Sequence, residues 1–302
     1  MVDIFDDRRH PGGKAALYAA AQSLAGVPAS VIGAVGDDPH GQLVVETLRS
    51  LGVDTRGVLQ VGSETGWDRV DGDSWEIHRG ANLAVDREFV ERPELAPVWE
   101  SADLVVVNQG VIASAGEFAI EQAAGRGTFV VLAAAPEAVE PVRRIDPAFY
   151  SKADIIVANQ VEAEHLFAER GIAMPSSPEA VAEALWSLSG PRLAFMYCRG
   201  VKGAVAAFAT REGNVEVRSV APAPTYLDNT ENYIGAGDAL VGYLTAALGH
   251  AEASGVGAAA LVREHISEVF ARGVEIAAET TNWRGPLTCA QENPLAFRAA
   301  FA

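Results

Sequence analysis

The sequence predicts an α/β protein, with helices on both faces of a mostly parallel sheet and a small β lid beside it. Three observations lead there. Apolar runs of strand length alternate with segments of helical period. Those runs are continuous in Val, Ile and Leu, as befits strands covered on both faces. Two segments break the alternation with period-2 hairpin patterns.

The elements follow in chain order. "ASVIGAVG" (29–36) reads as a buried strand, and "HGQLVVETLRSLG" as a helix stopped by Gly52. "TGWDRVDGDSWEIHRG" (65–80) reads as a hairpin about Asp71-Gly72, polar on both faces and therefore projecting. A projecting hairpin serves either as plain edge structure or as a lid that excludes water from a ligand. "ADLVVVNQG" and "GTFVVLAAA" are buried strands with a helix between them near residues 114–124. "ADIIVANQ" repeats the pattern, and "SSPEAVAEALWSLSG" is a helix capped by Ser177 with Pro178 at its first position. Residues 203–220 form a second hairpin, turning near Gly213-Asn214. No repeat or low-complexity linker divides residues 1–302, so one domain is expected, with a lid insert near 62–80 and a short contribution from 3–11.

Composition narrows the function classes. With 49% hydrophobic residues in 302, the chain can bury a sizeable core. A net charge of -17 without a basic stretch argues against nucleic acid as a partner. The only cysteines are Cys198 and Cys289, too few for a disulfide framework and suited to a reducing compartment. No apolar run reaches the roughly 18 residues of a membrane span. A cytoplasmic protein without a membrane partner is expected.

Four segments carry residues with chemical potential. In "ENYIGAGDALVGYLTAALGH", the N–H groups of Gly235, Ala236 and Gly237 precede an apolar helix over 239–248, whose N-terminal end favours anions. Asp238 at that point has two readings: a helix N-cap, or a general base beside an anion hole. Asn159 and Glu162 in "NQVE" spell a capping box; at the carboxyl end of a strand they also suit Mg²⁺ held through water. "PGGKAALYAAA" places Gly12 and Gly13 before a helix, "CRGVKG" is a glycine-punctuated turn between strands, and "VGDDPHG" caps the helix after it.

Taken in order, these segments resemble the PfkB/ribokinase family of sugar kinases along nearly the whole chain. The matching pieces are "PGGKAALYAAAQSLAG", "GAVGDDPHG", "LGVDT", "HRGANLAV", "NQVEAEHL", "CRGVKG" and "GAGDAL"; the opening "VDIFDDRRHPGG" is similar to fructokinase-type members. The resemblance implies a ribokinase-like fold and ATP-dependent phosphorylation of a hydroxymethyl group on a small sugar. It implies that Asp238 is the base and that the Gly235–Gly237 amides, with Ala236 between, form the anion hole. Asn159 and Glu162 would organise Mg²⁺; Cys198, Arg199, Gly200, Lys202 and Gly203 would lie along the ATP site. Asp3, Gly12, Gly13 and Lys14 would line the sugar pocket, residues 65–79 would act as lid, and lid pairing implies a homodimer.

The chain also departs from the family pattern. Asn232, Tyr233 and Ile234 stand where the signature has D-T-x, in a segment that also serves a monovalent-cation site, so potassium activation does not carry over. Leu17 replaces an Asn, Ala133-Ala134 replaces a DP pair, and Cys198 replaces a Thr. Residues 1–5 would supply only the end of the family's first strand, which normally lies inside the sheet, so either the start is truncated or the sheet is built differently. A nucleoside acceptor, or a ligand-binding sensor of the same fold, are the alternatives to a sugar kinase. A dinucleotide-dependent oxidoreductase is disfavoured because no G-x-G-x-x-G follows the first strand.

Overall fold

The computed structural model describes residues 2–5, 8–71, 74–108, 112–134, 145–223 and 235–280. The chain begins with β1 (Val2–Phe5), β2 (Arg8–Pro11), α1 (Lys14–Leu24), β3 (Gly33–Gly36), α2 (Pro39–Ser50) and β4 (Val58–Val61). There follow β5 (Trp67–Asp71), β6 (Ser74–His78), the short α3 (Arg87–Val90) and α4 (Ala96–Glu100), β7 (Leu104–Asn108), α5 (Ala113–Arg126) and β8 (Phe129–Ala133). The last part comprises β9 (Ile155–Asn159), α6 (Gln160–Ala168), α7 (Pro178–Ser189), β10 (Ala194–Cys198), β11 (Ala204–Ala209), β12 (Val215–Val220), α8 (Ala236–Ala253) and α9 (Ala258–Thr280).

The main sheet has the order β12-β11-β10-β9-β8-β7. Its β7 to β10 run parallel, and β11 and β12 close the edge antiparallel. Successive residues point to opposite faces, which splits the core in two. Val130, Leu132, Ile156 and Phe195 pack with Ile120 of α5, Phe167 of α6 and Leu185 of α7. Val131, Ile155, Val157 and Met196 pack with Tyr18 of α1, Leu244 of α8 and Phe270 of α9. This two-sided burial is what the continuous apolar runs demand.

Local signals place the helix starts. Ser177 accepts the Ala180 N–H ahead of Pro178, and Asp38 accepts the Gly41 N–H at 2.8 Å ahead of Pro39. In the second hairpin the turn is at Gly213 (φ 83°), with the Thr210 N–H donating to the Asn214 carbonyl at 2.8 Å.

One expectation is revised. The strand foreseen over 29–36 is regular only from Gly33; Ser30 makes an isolated bridge to Asp54. The opening residues lie in a small sheet of their own, so the sheet is built differently from the family pattern. β1 pairs antiparallel with β2 and parallel with β5, in a separate sheet ordered β2-β1-β5-β6. A four-residue strand followed at once by its own antiparallel partner satisfies its backbone there from both sides. The β3–β4 pair stands apart, parallel, with Gly33 opposite Val58. Among the described residues no strand joins β3 to β7; between them lies a cavity of about 810 Å³ lined by Val31, Ile32, Val105 and Val107.

Candidate active site

The candidate site forms where parallel strands end and two helices begin. Asn159 and Cys198 are the last residues of β9 and β10 and face one another in register. Helix α1 packs along α8, and Tyr18 of α1 feels both Asp238 of α8 and Glu162 of α6. Ligands of open parallel sheets bind at the carboxyl ends of strands because helix N-termini and loops converge there.

The start of α8 bears on the capping reading of Asp238. Gly235 is the N-cap, in the left-handed region at φ 87°, and makes no side-chain cap bond. The helix therefore begins at Ala236, three residues before the expected start, and Asp238 sits in its first turn. Ala239 donates to the Gly235 carbonyl at 2.9 Å, while the N–H groups of Ala236, Gly237 and Asp238 have no intrahelical acceptor. Instead of capping, the Asp238 carboxylate accepts a hydrogen bond from the Tyr18 hydroxyl.

Three charged or polar groups surround that carboxylate. Burial in the site wall is the largest influence and raises the Asp238 pKa. The Lys14 charge and the Tyr18 hydrogen bond oppose the rise, the Asp68 charge adds to it, and the net shift is upward. Tyr18, in turn, is held well above the ordinary phenol value by burial, by the charges of Asp238 and Glu162 and by its bond to Asp238. Lys14 and Tyr18 are one helical turn apart on α1, directly after Gly12 and Gly13. Neither Tyr18 nor Asp68 is singled out by the sequence alone. The i,i+4 spacing from Lys14 is the signal for Tyr18; Asp68 carries none, since only folding brings β5 to the site.

The "NQVE" segment forms the capping box in full. The Glu162 N–H donates to Asn159 Oδ1 at 3.0 Å, and the Asn159 N–H donates to Glu162 Oε2 at 2.6 Å. Glu162 is nonetheless buried, and its other oxygen lies 4.0 Å from Lys14 Nζ. Asn159 is exposed. Among the described residues no three His, Cys, Asp or Glu side chains gather as a metal cage. The oxygen donors present fit a cation such as Mg²⁺ that keeps most of its waters.

Beside them, burial and the Glu162 charge push the Cys198 thiol up to about 12, so it stays neutral and unreactive. The turn after it is a short 3₁₀ segment, Gly200–Lys202, closed by the Arg199 N–H to Gly203 carbonyl bond at 2.9 Å. Gly203 has φ 80°, and a side-chain carbon there would run into the Val220 carbonyl. Arg199 donates to the Tyr197 hydroxyl, and Lys202 is exposed. The backbone of Asp3 lies between His10 and Asp68 in the small sheet. In that sheet Trp67 stacks on His78 at 5.4 Å, and His78 meets Glu64 at 2.7 Å. Asn232, Tyr233 and Ile234 lie outside the described residues. No described helix is long and apolar enough to cross a membrane.

Comparison with known proteins supports the fold and gives the family. The chain is similar in fold to a fructokinase with bound ATP from Xylella fastidiosa, with TM-score 0.75 and 17% identity, covering 97% of this chain and 96% of that one. It is similar to a ribokinase of Arabidopsis thaliana complexed with ribose and ATP, with TM-score 0.72 and 21% identity over 95% and 87% of the two chains. A candidate sugar kinase from Pyrococcus horikoshii is 44% identical over 60 residues, 20% of this chain and 19% of that protein, so the match spans about a fifth of the curated relative. The family model for pfkB family carbohydrate kinases matches residues 3–293. The chain belongs to the pfkB family of carbohydrate kinases, phosphotransferases with an alcohol group as acceptor.

Proposed function

We propose that this protein transfers the terminal phosphoryl group of ATP to a hydroxymethyl group of a small sugar, with Asp238 as general base. The observation that carries the reading is one carboxylate, Asp238, held between Tyr18 and Lys14 at the uncapped start of a long helix. A base there can take the proton of an acceptor hydroxyl while the Gly235–Gly237 backbone faces the developing phosphoryl charge. Its raised pKa makes it a better proton acceptor than an ordinary carboxylate, while Lys14 keeps it ionised enough to act.

The other residues supply position and charge. Asn159 and Glu162 would hold Mg²⁺ through water; when bound, the ion neutralises phosphate charge. The turn from Cys198 to Gly203 would border ATP, with Lys202 free to reach a phosphate. Gly12, Gly13, Lys14 and Asp3 would border the sugar. We assign the sheet β2-β1-β5-β6 as the lid of a single domain spanning 1–302, its insert covering 62–80 and its first strands the segment 3–11, and its open face as the homodimer contact. A lid matters because water competes with the sugar for phosphoryl transfer.

The test is ADP release from ATP and Mg²⁺ across a panel of sugars and nucleosides. Release that depends on a sugar and falls about 10²–10⁴-fold in Asp238→Asn is expected. Full activity in that variant removes Asp238 from the base role, and preference for a nucleoside reassigns the acceptor.

A further inference from the structure

Tyr18 is the one phenol that the described structure sets against Asp238, and its surroundings leave it little freedom. It is 4% exposed and packs with Leu240, Val241 and Leu244 of α8. Gly242, one turn beyond Asp238 on the same face, lies against the Tyr18 backbone. A side-chain carbon built at Gly242 would be 3.6 Å from the Tyr18 carbonyl oxygen and 3.7 Å from its Cα. The glycine thus lets α1 and α8 approach closely enough for the Tyr18 hydroxyl to reach the carboxylate one turn earlier.

We propose that Tyr18 is a positioning residue for phosphoryl transfer: its hydroxyl, fixed by the α1–α8 contact, donates to the Asp238 carboxylate and orients it toward the acceptor hydroxyl. The inference rests on the reading of Asp238 as base. An ionised carboxylate offers about four lone-pair positions, so one bond to Tyr18 leaves others for the acceptor proton. A side chain whose rotamer is not locked loses part of the rate, because reacting atoms must be held in near-attack geometry. The phenol stays protonated throughout the working range, since burial and the neighbouring carboxylates oppose its ionisation. It therefore acts only as a donor, and the catalytic proton passes to Asp238 alone. Lys14, Asp68 and Glu162 are the other charged groups facing this pair.

The experiment compares Tyr18→Phe with the unaltered protein by the pH dependence of kcat and kcat/KM, using the sugar that gives the highest rate. Phenylalanine keeps the packed ring and removes the donor. The expected result is a fall in kcat of about 10- to 100-fold, with KM for ATP unchanged. The acid limb should move to higher pH, because the ionised carboxylate loses a bond that favoured it. A folded Tyr18→Phe with unchanged kcat and acid limb overturns the inference. Protein grown with 3-fluorotyrosine, a stronger donor of nearly the same size, gives a second reading should the variant fold poorly. Its acid limb should move to lower pH, and an unmoved limb also overturns the inference. Asp238→Asn measured in parallel separates the two failures: an active Asp238→Asn sinks the base itself, whereas an inactive one beside an unaffected Tyr18→Phe sinks only the role of Tyr18.

Discussion

The carboxylate of Asp38 and the residue Thr65 bind each other twice: Thr65 donates its N–H to Oδ2 at 2.7 Å and its hydroxyl to Oδ1 at 2.8 Å. The Gly36 N–H donates to the same hydroxyl at 2.8 Å. Since Asp38 also caps α2, one side chain joins the end of β3, the start of α2 and the root of the small sheet.

Replacing Asp38 should therefore cost more than a helix cap alone. Asp38→Ala is expected to lower stability by about 1–3 kcal/mol, read as a shifted urea midpoint. Desolvation raises the Asp38 pKa, but its bonds from Thr65 and Gly41, with the nearby His40, outweigh that and hold it below the ordinary value. Its folded value is thus the lower one, so its contribution is full above the unfolded carboxylate range and fades as pH falls through the folded value. The difference between the two proteins should shrink on acidification; a constant difference refutes the charged bond.

Asp238 carries the opposite sign. Its folded pKa is raised, so keeping it ionised at neutral pH disfavours the folded state. That burden grows as pH rises from the unfolded carboxylate value through the folded one. Asp238→Asn should therefore unfold at a higher temperature than the unaltered protein at pH 8 while losing activity, and the gap should narrow at pH 4. A lower melting temperature at pH 8 contradicts the desolvation argument.

Cys198 should resist alkylation. With its thiol pushed up to about 12, almost no thiolate exists at pH 8, and iodoacetamide should label position 198 only after unfolding, as read by peptide mass spectrometry. Rapid labelling of the folded protein at that position would show that the site wall is open there.

The α1–α8 contact gives a packing test. A methyl group added at Gly242 would overlap the Ala21 side chain, so Gly242→Ala should destabilise by about 1–3 kcal/mol as the helices move apart. By also moving Tyr18 from Asp238, it should lower kcat more than KM for ATP. Unchanged thermal stability would show that the helices have room to spare.

Much of the fold was legible because burial imposes its own composition. Phe129–Ala133 and Ile155–Asn159 read as two-sided strands from their unbroken apolar runs, and Ser177-Pro178 marked a helix start that the structure keeps. The site was legible in part. Gly235, Ala236, Gly237, Asp238, Asn159, Glu162 and Lys14 stand in short local motifs, and the fold brings Asp238, Glu162 and Lys14 together around Tyr18. Strand pairing was less legible: for Val2–Phe5 the sequence offered only a short contribution to the lid and no partner strand, because a four-residue extended segment suits either edge.

By itself, then, the sequence determined the α/β class, the capping residues and the chemical types available, all properties set within a few residues of the chain. Tertiary structure decided that Asp238 meets Tyr18 instead of capping its helix, that Asp68 adds charge from a distant hairpin, and that β1 lies in the small sheet. These depend on which elements pack together, and packing brings together side chains 50 to more than 200 positions apart that no local pattern links.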